Sequence, residues 1–283
     1  MNSRRQRLRA LGYLNLILTN AWPRRAVSRW MGRFSRIRQP LVRDVSLALW
    51  RRFGDLDLAD AKKSRFDSVH DCFTRELREG SRPIDPDPAV LASPCDAIVG
   101  ACGAILGNDL VQAKGIVYRL DELLRDAAFA RQFAGGCYAT LRLTAGMYHR
   151  FHAPHDCAVE QVAYVPGDAF NVNPPAVARI PRLYCRNERA VLRLRLADGA
   201  PLALVPVAAI FVAGIRLRFA DLPPRGAQTI TCAAQLAKGE QMGWFEHGST
   251  ILLFAPGGFE LCPGIAPGRR VRVGERLMRR QPD

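Results

Sequence analysis

Lys238-Gly239-Glu240-Gln241-Met242-Gly243-Trp244-Phe245-Glu246-His247-Gly248-Ser249-Thr250-Ile251-Leu252-Leu253-Phe254 is the stretch around which the chain is read. Ile251 to Phe254 is a short, continuously apolar run, the pattern of an inner β-strand, and Gly243 and Gly248 punctuate the approach to it. Ser249 follows a glycine, precedes a threonine and stands at the mouth of that run. A serine so placed is a candidate nucleophile held on rigid backbone, and Gly248 leaves its own carbonyl open to attack. Gly-Ser-Thr is also a common turn composition, so the motif needs support from elsewhere.

Upstream, the same strand grammar recurs. Ala139 to Leu143, Val191 to Leu196 and Ile215 to Phe219 alternate apolar and polar residues, the period of a half-buried strand, and Val207 to Val212 reads as an inner strand. One helix is expected at Leu120 to Phe133. Frequent Gly and Pro between short strands point to a β barrel or sandwich-like core. Residues 1 to 80 read instead as helical, with apolar stripes at Leu8 to Trp22, Leu41 to Trp50 and a charged one at Phe53 to Phe73. Gly80 to Pro88, rich in proline, cannot continue a helix. The expected fold is therefore α+β: a helical region over 1–80 and a mainly antiparallel β-rich core over 81–283.

The charge is as uneven as the pattern. Of the net +15, residues 1–50 hold 11 Arg against one Asp. Leu8, Leu11, Leu14, Ile17, Leu18 and Trp22 have helical spacing beside Arg4, Arg5, Arg7 and Arg9, which suits a helix lying in an anionic membrane interface. No run reaches the roughly 18 apolar residues of a spanning helix, so a transmembrane anchor is not expected. Trp22-Pro23-Arg24-Arg25 is a poor signal-peptide cleavage site. A nucleic-acid-binding domain is disfavoured, because the charge is concentrated at the N-terminus and aromatics do not punctuate a basic strand face. Eight cysteines without a Cys-x-x-Cys pair fit reduced thiols, neither a zinc site nor a disulfide scaffold.

A serine that attacks a carbonyl needs a base, and the base needs an orienting acid. Three of the five histidines fall in Met147-Tyr148-His149-Arg150-Phe151-His152-Ala153-Pro154-His155. On a strand His149 and His152 point to opposite faces, and on a helix Pro154 would truncate the turn, so no metal is expected there. Asp96, in Ser93-Pro94-Cys95-Asp96-Ala97-Ile98-Val99, heads an apolar strand and, read alone, is first of all a turn-capping residue after Pro94.

Lys238-Gly239, Gly243, Phe245 and Gly248-Ser249-Thr250 resemble the self-cleavage motif of the phosphatidylserine decarboxylases. Tyr148-His149-Arg150 with His152 and Pro154, Ser93-Pro94 with Asp96, and Phe73 to Leu77 followed by Arg82-Pro83 resemble further segments of that family. So do Lys114 to Tyr118, Val165-Pro166-Gly167 with Asn171 to Pro174, and Asn187-Glu188-Arg189. The resemblance implies a proenzyme that cleaves itself between Gly248 and Ser249, turning Ser249 into a covalent pyruvoyl cofactor. It implies Asp96 and His152 as orienting acid and base, with His149 and Tyr148 at the substrate. Large (1–248) and small (249–283) chains would remain partners, and phosphatidylserine in an anionic membrane would be decarboxylated through a Schiff base to phosphatidylethanolamine. The expected location is the cytoplasmic face of the cell membrane, peripherally bound; a homo-oligomer is left open. Rival readings are an uncleaved lipid-binding homologue and a pyruvoyl decarboxylase of another amino-acid head group or a soluble amino acid. Three departures from the family stand out: His247 for an apolar residue, Gln241 for Glu, and Thr144-Ala145-Gly146-Met147 for Ser-Pro-Arg-Asp.

Overall fold

The computed structural model describes residues 24–111, 116–210, 214–223, 226–246 and 249–281. The apolar run opens as expected into a strand, β13 (Ser249–Ala255), and all of its residues are buried. It pairs antiparallel with β5 (Cys137–Arg142) on one side and β9 (Pro201–Ala208) on the other. Those neighbours are almost wholly buried too. This central trio is covered on both faces, which is why its sequences run apolar without alternating.

Outward from the trio the alternation returns. Beyond β9 come β8 (Arg189–Leu196), β7 (Cys157–Val165) and β11 (Gln228–Leu236), and beyond β5 come β2 (Ala97–Ala104) and the short β15 (Arg270–Val271). These eight strands form one open sheet, in the order β11-β7-β8-β9-β13-β5-β2-β15. The barrel expected as one form of the core is corrected here: among the described residues β11 and β15 remain edges and do not pair with each other. The apolar run at Val207 leaves the ladder after Ala208, and residues 211–213 lie outside the described residues.

Three smaller sheets surround it. One joins β6 (Arg150–His152), β10 (Ile215–Leu217) and β12 (Gln241–Phe245) in the order β10-β12-β6. A second joins β1 (Val90–Ala92), β16 (Arg276–Arg280) and β14 (Phe259–Leu261), and β3 (Asp109–Val111) pairs with β4 (Val117–Arg119).

Seven helices accompany the sheets among the described residues: α1 (Arg24–Phe34), α2 (Pro40–Phe53), α3 (Val69–Phe73), α4 (Leu120–Leu124), α5 (Ala127–Arg131), α6 (Pro174–Val177) and α7 (Leu183–Arg186). The single helix expected at Leu120 to Phe133 is two, because Arg125 takes the left-handed conformation (φ 59°) and Asp126 caps a new start through Phe129 N, 2.8 Å away. Phe129 meets Phe133 edge-on and Phe133 lies tilted against Phe254, which packs α5 against one face of β13. By alternation Ser249, Ile251 and Leu253 face the other way.

In the N-terminal region Gln39 caps α2 and Gly54 ends it. The helical stripe expected at Phe53 to Phe73 is corrected: residues 54–68 are irregular, Asp57 turns the chain by accepting from Ala59 N, and only the Ser68-capped α3 is helical. Leu47, Ala61, Phe66 and Cys72 form a small core of their own beside the main one. The Leu8 to Trp22 stripe and Lys114-Gly115 lie outside the described residues.

One junction organises the rest. The β5/β13 pair belongs to the large sheet and the β6/β12 pair to a small one, yet the same two chain segments run through both. Leu143 N donates to Ser249 O at 3.0 Å on one side of the crossing, and Phe245 N to His149 O at 3.0 Å on the other. Between these two bonds the chain turns a corner from one sheet to the other, with residues 144–148 on the upstream segment. Gly243 makes the approach possible, since a Cβ there would lie 2.1 Å from Arg216 O and 2.7 Å from the Phe151 ring. Gly243→Ala is expected to lower stability by on the order of 1–3 kcal/mol, as overpacking does, read from urea unfolding of the purified chain.

Candidate active site

Ser249 opens β13 at that corner. Its side chain is buried, and Oγ finds no hydrogen-bond partner among the described residues. His247 and Gly248 lie outside the described residues, so the expected scissile bond is bounded by Glu246 on one side and Ser249 on the other.

The opposing arm carries the Tyr-His-Arg segment. Register puts His149 level with Phe245 and His152 level with Gln241. Three residues of strand rise separate His149 from His152, about 10 Å, the extra residue on β12 being taken up by a bulge between Gln241 and Gly243. Of the two expected histidines, His149 is therefore nearer to Ser249 along the ribbon.

His149 is fully buried, its ring 3.8 Å from that of Phe73, which in turn stacks on Trp50 of α2 at 5.9 Å. Its Nδ1 lies 2.8 Å from Met147 O. A carbonyl only accepts, so Nδ1 carries a proton.

His152 is protonated at Nδ1 for the same reason: Nδ1 donates to Gly239 O at 2.8 Å, and Nε2 accepts from the Tyr148 hydroxyl at 3.1 Å. Burial pushes the His152 pKa below its ordinary value; the Gly239 carbonyl and the Asp96 charge oppose that shift, while Arg150 and Arg82 reinforce it. The imidazole is consequently neutral near pH 7. Tyr148 is held as a phenol, burial pushing it up to about 12.

Asp96 stands in the same neighbourhood. The loop before it touches β6, with His152 N donating to Pro94 O at 2.8 Å. Its carboxylate accepts from Arg82 Nε (2.9 Å), from Arg82 Nη2 (2.6 Å) and from Val273 N (2.9 Å). Among the described residues no hydrogen bond joins Asp96 to His152, or either of them to Ser249. The structure thus brings Tyr148, His152 and Asp96 together, sets His149 at the corner, and leaves Ser249 across it.

Arg150 fastens this arm to the N-terminal region, donating to Thr74 O at 2.8 Å and to Gln241 Oε1 at 2.9 Å. Where the family pattern has Glu, Gln241 offers only its amide oxygen, and Glu76 supplies the carboxylate 3.3 Å from Arg150. Beside Tyr148 a cavity of about 140 Å³ is lined by Arg75, Arg82, Asp96, Gly146 and Met147, among others. The departure at residues 144–147 therefore bears directly on this cavity.

Sequence reasoning missed Arg82 as the partner of Asp96 and Gly239 as the carbonyl that sets the His152 tautomer. Both lie in motif segments, but pairing across 14 and 87 residues leaves no local trace.

Fold and site together define a mainly antiparallel α+β protein with a buried serine at a sheet junction. The family model for phosphatidylserine decarboxylase matches residues 69–279. A phosphatidylserine decarboxylase proenzyme of Anaeromyxobacter sp. (strain K) is 42% identical over 268 residues, covering 90% of this chain and 94% of that one. Proenzymes of the same name from Aliivibrio salmonicida (strain LFI1238) and Vibrio cholerae (El Tor Inaba N16961) are 36% and 37% identical, each covering 89% of this chain and 93% and 94% of their own. The chain belongs to the phosphatidylserine decarboxylase family.

The depressed pKa of His152 has a direct consequence. Tyr148 donates to the neutral form, so Tyr148→Phe should raise the His152 pKa toward the unperturbed value of about 6.5, read by NMR titration of the imidazole. Folding stability should fall as pH drops below about 6.5, because the unfolded chain then binds protons that buried His152 and His70 resist.

Proposed function

We propose that this chain is the proenzyme of a phosphatidylserine decarboxylase: it breaks itself between Gly248 and Ser249 and, once processed, converts phosphatidylserine to phosphatidylethanolamine and carbon dioxide. The observation that carries this reading is Ser249 Oγ, a buried hydroxyl without a partner among the described residues, one residue after the expected cut. Leaving such a group unpaired costs about 1–3 kcal/mol. A reaction that consumes the hydroxyl gives that cost a purpose, and the atom fits as precursor of a pyruvoyl group.

The chemistry follows from the residues. The family resemblance assigns His152 as base for the Ser249 hydroxyl, with the Asp96 charge favouring the imidazolium that results; for this its Nε2 must first leave the Tyr148 hydroxyl and turn toward the corner. Oγ bonds to the Gly248 carbonyl carbon, the C–N bond breaks, and the proton passes to the Ser249 nitrogen, giving an ester. Loss of the Ser249 Cα proton then expels Gly248 as a carboxylate and leaves dehydroalanine. Tautomerisation and addition of water release ammonia and leave the pyruvoyl ketone at the head of the small chain. That group supplies the electron sink for loss of the substrate's carboxylate. Tyr148 and His149 line the substrate side, and His152 can return a proton near neutral pH.

Support for a membrane-bound substrate comes from α1 and α2. Leu41, Val45 and Leu49 lie one turn apart on α2 and are 67%, 51% and 54% exposed, and Trp30 on α1 is 61% exposed. Arg29, Arg33, Arg38, Arg43, Arg51 and Arg52 flank them. An apolar stripe beside cations suits peripheral binding to an anionic leaflet, here assigned to the cytoplasmic face of the cell membrane. Among the described residues no helix is long and apolar enough to cross a membrane.

Intact mass spectrometry tests the central claim. Wild type should split at Gly248/Ser249 and yield a small chain lighter by one ammonia than the peptide Ser249–Asp283, while Ser249→Ala and His152→Ala stay whole. A folded wild type that stays whole would leave the uncleaved lipid-binding homologue as the better reading. Separately, Leu41→Ser/Val45→Ser/Leu49→Ser should reduce cosedimentation with phosphatidylserine-containing vesicles about tenfold or more, since exposed side chains contribute to lipid burial and not to the core.

A further inference from the structure

Glu246 is the last described residue before the expected cut, and it is fixed unusually firmly. Its backbone N donates to Gly214 O at 3.1 Å, and the residue is 5% exposed. Oε1 accepts from Arg36 Nη2 at 3.1 Å and lies 3.4 Å from Arg216 Nε. The two arginines come from opposite directions: Arg216 from β10 in the small sheet, Arg36 from the turn between α1 and α2. Both are about half exposed, so the carboxylate is the buried member of the cluster.

Three residues downstream, Ser249 is equally fixed by its pairing with Ala208 and by Leu143 N. The bond to be broken therefore falls in a three-residue interval with both ends tied down. An acyl shift from nitrogen to oxygen requires the hydroxyl to approach its own neighbour's carbonyl along a narrow path. Tying down both ends removes the conformational freedom that would otherwise oppose that approach.

We propose that the Arg36–Glu246–Arg216 cluster is a positioning device for chain cleavage, with Glu246 the positioning residue and Arg36 a contribution of the N-terminal helical region to the processing site. This rests on the self-cleavage reading above. Among the described residues none of the three is hydrogen-bonded to Ser249; they act by holding Glu246, two residues before Gly248 in the sequence. The helical region then has two tasks, lipid contact through its exposed stripe and alignment of the scissile segment through Arg36.

The test follows cleavage in cell-free synthesis, with a pulse label and gel sampling over time. Wild type and Ser249→Ala come first: if wild type does not split, the self-cleavage reading fails before this one is reached. Given a splitting wild type, Arg36→Ala/Arg216→Ala should slow cleavage tenfold or more. Losing both cations leaves the buried Glu246 carboxylate unpaired, so the thermal midpoint of that variant in a Ser249→Ala background should fall; Glu246→Gln, which removes the charge as well, should keep its midpoint near that of the parent. Arg36→Lys/Arg216→Lys should recover most of the rate, because each arginine offers Glu246 a single bond that an ammonium can replace. Glu246→Gln should slow cleavage as the alanine pair does. A wild-type rate in Arg36→Ala/Arg216→Ala or in Glu246→Gln, slowing in Glu246→Gln that tracks a fall in thermal midpoint, or slowing of the alanine pair that the lysine pair fails to restore overturns the proposal.

Discussion

Pairing of β13 on both sides is the constraint from which the rest follows. A strand hydrogen-bonded to β5 and β9 and buried on both faces has no freedom to shift register, since a slip of one residue would turn every side chain to the wrong face. That rigidity fixes Ser249 at the strand's mouth. It also obliges the chain arriving from β12 to change sheets just before Ser249, because β12 is committed to β6 and β10. The corner is thus a by-product of two ladders that cannot be satisfied in one plane.

Around the corner the polar groups are arranged so that charge stays away from the imidazoles. Arg82 takes up Asp96, Glu76 meets Arg150, and carbonyl oxygens hold the protonated nitrogen of each histidine. Both rings donate through Nδ1, and at His152 desolvation penalises the cation. Arg189 shows the same principle without a base nearby: fully buried, it spends its donors on the carbonyls of Glu122, Leu123, Cys185 and Asn187, and burial draws its pKa down to about 10. These carbonyls tie α4 and α7 to the edge of β8.

Local patterns were legible in the sequence where the local environment determined them. Ile251 to Phe254 could only be an inner strand, and the alternation in Val191 to Leu196 appears directly in the burial of β8. Where long-range partners decide, the pattern misled. The Phe53 to Phe73 stripe has helical spacing, but Gly54 and the Asp57 turn take the backbone elsewhere, and its apolar residues serve a small side core instead. Closure of the sheet was equally hidden, because strand order is a property of pairings, not of any one strand. At the site, residue types announced Ser249, His149, His152 and Asp96, yet nothing in spacing could show that His149 stands level with the corner and His152 further along. Glu246 carried no sequence signal at all, being an ordinary acidic residue until Arg36 and Arg216 converge on it.

The sheet junction has a last consequence, for the molecularity of folding. A cut between 248 and 249 would sever neither ladder, since β12 and β13 belong to different sheets. The downstream piece would keep β13 in the middle of the large sheet, β15 on its edge, and β14 and β16 in a sheet shared with β1. Before the cut, folding is a first-order event in which those strands find their places along one chain. After it, the same architecture has two components, and a denatured molecule could regain it only by a second-order encounter whose rate depends on concentration. The native arrangement is then reached once, from the intact chain, and afterwards persists because its strands are interleaved too deeply to part.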